Sequence, residues 1–219
     1  MALTFYHGHG SPYSWRVWLA LEHMGVPYEL NVLSFASGDT RKPDFVAINP
    51  RHHVPTLVDD GFALWESAAI VEYLDERYPA ADPGTGLFPG DVRQRAVIRR
   101  LVREFDEYLF NDGLGILTEE YFFSGDEGPD EKRVAKAKQA LAAELSGTEK
   151  LIAGPFLFGA SPTAADFALY PNLAYVSRLT VRKPELALTQ LVGPRLARWQ
   201  KGIETLPYYE KTYPPHWRS

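Results

Sequence analysis

Four hydroxyl-bearing residues crowd the start of the chain, in the run Tyr6-His7-Gly8-His9-Gly10-Ser11-Pro12-Tyr13-Ser14. Ser11 followed by Pro12 is a helix start, with serine as the cap and proline at the first helical position. A hydroxyl at that point sits beside unpaired backbone N–H groups that favour negative charge. The chain has no cysteine, which excludes disulfides, thiolate metal sites and a cysteine nucleophile, so any reactive sulfur must belong to a ligand. A free thiol titrates near ~8.5, and lowering that by ~2 units takes about 2.7 kcal/mol in favour of the thiolate. A hydroxyl donor at a helix N-terminus supplies stabilisation of this kind. Capping alone accounts for Ser11 equally well.

A second pair with chemical potential is Glu66-Ser67. The Glu carboxylate suits an ammonium group, and the Ser67 hydroxyl with neighbouring amides suits a carboxylate, so together they fit an amino-acid head group. An ordinary serine cap beside an acidic residue is the alternative. Gly8-His9-Gly10 hints at a phosphate loop, but Tyr13 stands where a dinucleotide fingerprint needs its third glycine and no P-loop lysine follows. His7, His9, His52 and His53 lack the spacing of a zinc site and read as solvent-facing loop residues, so no metal is expected. Thr163-x-x-Asp166 is a capping-box variant with a structural role. Tyr108, Phe110, Tyr121, Phe122 and Phe123 offer apolar walls for a hydrophobic co-substrate.

These residues must be held by elements that the pattern also predicts. Leu3–Tyr6 reads as a short buried strand, Ser11 to Met24 as a capped helix ended by Gly25, and residues 28–33 as a second strand, making a β-α-β unit. A short helical piece around 45–48 ends at Asn49-Pro50; residues 55–58 and 63–65, joined by Asp59-Asp60-Gly61, read as a hairpin. Ser67, Ile70, Val71, Leu74 and Tyr78 then follow helical spacing up to Pro79. The Pro- and Gly-rich stretch 80–90 marks a linker, and beyond it helices are expected near 92–122, 130–146, 163–178 and 191–204, followed by an aromatic tail. With 45% hydrophobic and 23% charged residues the chain can bury a real core. A net charge of −5 gives no electrostatic reason to bind nucleic acid or an anionic membrane surface. With neither a leader pattern nor a membrane span in evidence, a cytoplasmic location is expected.

Ser11-Pro12-Tyr13-Ser14-Trp15-Arg16-Val17, Asn49-Pro50-Arg51-His52-His53-Val54-Pro55 and Glu66-Ser67-Ala68-Ala69-Ile70, together with Gly159-Ala160-Ser161-Pro162-Thr163-Ala164-Ala165-Asp166, resemble the cytosolic glutathione S-transferases, in particular the bacterial-type, serine-using members. The resemblance covers nearly the whole chain. It implies an α/β plus all-α fold: a thioredoxin-like β-α-β-α-β-β-α domain over 1–79 that binds glutathione, the linker, and an all-helical domain over 91–219 that contributes the electrophile pocket. It ranks the sulfur donors as Ser11, then Ser14, then Tyr6, the position where some classes carry a catalytic tyrosine. It places a cis-proline at Val54-Pro55, with Val54 pairing the cysteinyl backbone of glutathione, His53 or His52 at the glycyl carboxylate, and Glu66-Ser67 at the γ-glutamyl end. Relatives carry Lys, Gln or Arg where this chain has histidine. A homodimer is implied. The activity implied is transfer of the glutathione thiolate to small hydrophobic electrophiles, with Tyr108 among the wall residues. Two alternatives accompany it: a maleylacetoacetate-isomerase-like activity, in which Arg178 meets substrate carboxylates, and a non-catalytic carrier.

Overall fold

The structure is a computed structural model that describes residues 2–125 and 128–218. The N-terminal elements are β1 (Leu3–His7), α1 (Pro12–Met24), β2 (Glu29–Val32), α2 (Pro43–Ile48), β3 (Thr56–Asp59), β4 (Phe62–Trp65) and α3 (Ser67–Arg77). Their order is the expected β-α-β-α-β-β-α. The strands form one sheet in the order β2-β1-β3-β4, with β1 parallel to β2 and antiparallel to β3, and β3 antiparallel to β4. Alternation along β1 buries Leu3, Phe5 and His7. Asp60 and Gly61 both take positive φ, 47° and 88°, the requirement of the tight turn that closes the hairpin.

Pro12 at the first turn and Gly25 in the left-handed conformation (φ 64°) bound α1 as the sequence dictates. Its central residues, Trp15 to Leu21, are all buried, so α1 is a core helix rather than a surface one. Gly38 opens a 3-10 turn at Asp39–Arg41 that leads into α2.

The chain divides into two compact units, Met1–Asp91 with Leu206–Ser219, and Val92–Thr205. Two expectations shift accordingly. The stretch read as a linker packs onto the first unit: Leu87 and Phe88 are buried, and the Leu87 amide donates to Asp75 Oδ1 at 2.8 Å. The C-terminal tail, expected with the helical half, instead belongs to the first unit. There the α9 turn (Tyr209–Thr212) places Thr212 Oγ1 to accept from Trp15 Nε1 at 3.0 Å, and Tyr213 and Trp217 stand edge-on to the Trp15 ring.

In the second unit the single helix expected over 92–122 is three pieces: α4 (Val92–Glu104), a π-helical stretch (Phe105–Gly115) and α5 (Ile116–Phe122). Burial explains the change. Ile98, Leu101, Val102 and Phe105 follow α spacing, but Phe105, Leu109, Gly113 and Leu114 recur at four and five residues, which only the wider turn keeps on one face. Gly113 lets this stretch approach Leu141, whose Cβ would lie 3.4 Å from any side chain there. Helix α6 (Glu131–Leu151) runs past the expected end at 146, and Thr148 remains buried beyond it. Helix α7 (Ala164–Arg182) is buried along most of its length, and α8 (Pro194–Glu204) completes the unit.

Candidate active site

At the start of α1 the Ser11 Oγ accepts the Ser14 amide at 3.2 Å, the capping bond the sequence predicts. Ser11 is half-buried, and its own hydroxyl proton meets no acceptor among the described residues. Ser14 differs. Its side chain is 0% exposed, and its hydroxyl accepts from the Gly8 amide at 3.3 Å while bonding His7 Nδ1 at 2.8 Å. The Ser14 hydroxyl is thus engaged inside the fold. Tyr6 lies elsewhere. Strand alternation turns it to the opposite face of β1 from His7, where its ring tilts against Phe45 of α2 at 5.6 Å.

His7, read from sequence as solvent-facing, is 1% exposed. Its Nε2 bonds His9 Nδ1 at 3.1 Å, and its ring lies 4.5 Å from that of Trp18. Burial, aided by the neighbouring His9, lowers its pKa to about 3, so it is neutral at physiological pH. His9 is shifted the same way by burial and by His216 of the tail. Alternation with Leu3 and Phe5 was the signal for a buried His7.

The other two motifs meet this turn. A side chain at Gly8 would collide with Val54 Cγ2 at 2.9 Å and with the Phe35 ring at 2.6 Å. Val54 is therefore against the turn that leads to Ser11, and Phe35, 53% exposed, forms a wall beside it. The Val54-Pro55 peptide is cis, and the Val54 amide makes no hydrogen bond among the described residues. The loop carrying it hangs on Asn49, whose buried amide donates to the His53 carbonyl and to Thr56 Oγ1, both at 2.9 Å. Sequence showed Asn49 only as a stop signal. His52 and His53 are exposed.

Ser67 opens α3 as its first residue, not its cap; Glu66 holds the cap position, with φ 71° and no side-chain capping bond. Positive φ costs a non-glycine residue free energy and persists where the surroundings impose it. Ser67 Oγ accepts from Nη1 of the buried Arg16 at 3.1 Å. Arg16 thus ties α1 to the Glu66-Ser67 corner, a role hidden in sequence inside an otherwise apolar helix. Ser11, Val54 and Ser67 are joined through Gly8 and α1. Tyr108 (48% exposed, on the π-helical stretch) and Arg178 (on α7) lie in the second unit. Among the described residues no group of His, Asp or Glu could hold a metal, and no helix is long and apolar enough to cross a membrane.

The family models for the glutathione S-transferase N-terminal domain and C-terminal domain match residues 10–77 and 75–199. Glutathione S-transferase D7 of Drosophila melanogaster is 34% identical over 206 residues, spanning 91% of this chain and 83% of that protein. The chain belongs to the glutathione S-transferase family. A glutathione S-transferase from the Antarctic clam Laternula elliptica superposes with TM-score 0.83 at 25% identity, covering 100% of this chain and 95% of that one. Maleyl pyruvate isomerase, described as a bacterial zeta-class glutathione S-transferase and solved in its holo form, gives TM-score 0.76 at 27% identity and covers 96% of each chain. As a member of this transferase family the chain is an enzyme, with glutathione S-transferase activity.

Proposed function

We propose that Ser11 donates its hydroxyl hydrogen to the sulfur of bound glutathione and that the thiolate so stabilised attacks a small hydrophobic electrophile. The observation that carries this reading is the half-exposed Ser11 hydroxyl, whose proton has no acceptor within the fold. The amides of the first turn of α1 add to the stabilisation of negative charge. A new sulfur–carbon bond forms, and the leaving group departs with its electron pair. Glu66 takes the ammonium and Ser67 the carboxylate of the γ-glutamyl end, Ser67 being held ready by Arg16. The Val54 backbone pairs the cysteinyl segment, and the exposed His53 or His52 meets the glycyl carboxylate. Tyr108 is assigned to the electrophile wall. Detoxification in the cytoplasm and a homodimer complete the reading, the latter tested by light scattering.

The test is Ser11→Ala, with the bound-thiol pKa and turnover measured on a panel of electrophiles; unchanged values would remove the assignment. Likeness to a zeta-class isomerase favours one second reading, glutathione-dependent cis-trans isomerisation with Arg178 at a substrate carboxylate. Assay with a maleyl-type substrate decides it: no isomerisation eliminates this reading.

A further inference from the structure

The hydrogen bonds behind Ser11 form one connected chain. Ser14 Oγ accepts the Gly8 amide at 3.3 Å and, in the tautomer we assign, gives its own proton to His7 Nδ1, 2.8 Å away. His7 then carries its hydrogen on Nε2 and donates it to His9 Nδ1 at 3.1 Å. The chain Gly8, Ser14, His7, His9 runs from a backbone amide in the turn to a half-buried imidazole. Its inner end is an amide that keeps its proton, so the chain cannot conduct one away from the thiol site. What it does is mechanical. It ties the first turn of α1 to the end of β1, while the Ser11 amide donates to the Gly8 carbonyl at 3.2 Å and Ser11 Oγ is held by the Ser14 amide.

We propose that His7 is a positioning residue for thiolate stabilisation: by accepting the Ser14 proton it locks the turn that aims the Ser11 hydroxyl. An apolar residue would fill this place between Phe5 and Trp18 without the desolvation cost of an imidazole. Here both ring nitrogens are engaged instead. Without the His7 acceptor, Ser14 would keep a buried donor with no partner and would turn to seek one. The movement is transmitted directly to Gly8 and Ser11. The proposal rests on the reading of Ser11 as the sulfur donor.

The experiment compares His7→Leu, His7→Asn, Ser11→Ala and the double variant His7→Leu/Ser11→Ala, reading bound-thiol pKa from thiolate absorbance, kcat and the KM for glutathione. His7→Leu is expected to raise the bound-thiol pKa by about one unit, with about threefold less thiolate at neutral pH and a matching loss in kcat, while KM changes by about twofold or less. His7→Asn keeps an acceptor near the Nδ1 position and recovers most of the loss. In the Ser11→Ala background His7→Leu has no further effect on the thiol pKa. Should His7→Leu fail to fold, His7→Leu/Ser14→Ala removes both partners of the buried bond, which restores the fold but not the thiol pKa. An unchanged thiol pKa and kcat in His7→Leu, or in that double variant, overturns the proposal. So does an equal effect with and without Ser11. An inert Ser11→Ala shows instead that the reading of Ser11 itself is wrong, and the two failures are thereby told apart.

Discussion

The N-termini of α1 and α7 use the same device, a hydroxyl cap, to opposite ends. At α7 the Asp166 carboxylate accepts from the Thr163 amide and hydroxyl, both at 2.8 Å, from the Leu157 amide at 2.9 Å and from Trp199 Nε1 at 2.8 Å, all of it buried. Burial pushes the Asp166 carboxyl up, and the bonds from Leu157, Trp199 and Thr163 pull it back. At α1 the cap accepts a single amide and remains half-exposed, with its proton uncommitted. A completed network stabilises a fold, and an incomplete one at the surface has capacity left for a ligand. On the proposed reading of Ser11, the difference between a structural and a reactive cap lies in what is left unbonded, not in residue type.

The contrast can be broken most severely at α7. Asp166→Ala strands buried donors on three segments and is expected to cost about 4 kcal/mol or more, read from the denaturant midpoint, with activity lost only as the fold is lost. At α1 the balance reverses. Ser11→Ala is expected to lower kcat/KM by about 100-fold while costing about 1 kcal/mol of stability through the lost cap; steady-state kinetics beside thermal melts check it. Gly8→Ala sharpens the point, since its methyl group meets Phe35 and Val54. A loss of about 1–3 kcal/mol and a raised KM for glutathione are expected, with partial recovery when Phe35→Ala makes room.

A further effect, spread over several pH units, is the pH slope from His7. In the unfolded chain an imidazole titrates near ~6.5, whereas in the fold His7, facing His9 and through it His216, stays neutral down to about 3. Stability from this group is therefore complete above pH ~6.5 and falls by about 1.4 kcal/mol per pH unit below it, levelling off near the folded value. Denaturation series between neutral and acid pH should show this slope, and His7→Asn should flatten it.

Much of this was legible in the sequence because local rules agreed with the fold. Pro12 and Gly25 bound α1, Asp60-Gly61 closed the hairpin, and the Thr163-x-x-Asp166 pattern gave the cap that the structure contains. The π-helical stretch was not legible, because apolar spacing of four residues fits both helix types over a short window. Nor could sequence show how Ser11 and Ser14 differ in their bonding: a serine looks the same in sequence whether or not its hydroxyl is engaged, and only the fold brings His7 to Ser14. Arg16 was hidden for a related reason, since its partner Ser67 is distant in the chain.

The return of the tail to the first unit also governs how the molecule is made. Trp15 waits for Thr212, a partner 197 residues away, so this unit cannot finish packing until residues 206–218 have left the ribosome, after the helical unit has been synthesised in full. Closing so long a loop is entropically costly and slow. The same segment puts His216 within 3.3 Å of a side chain at Gly10, so the tail also closes over the turn that precedes α1.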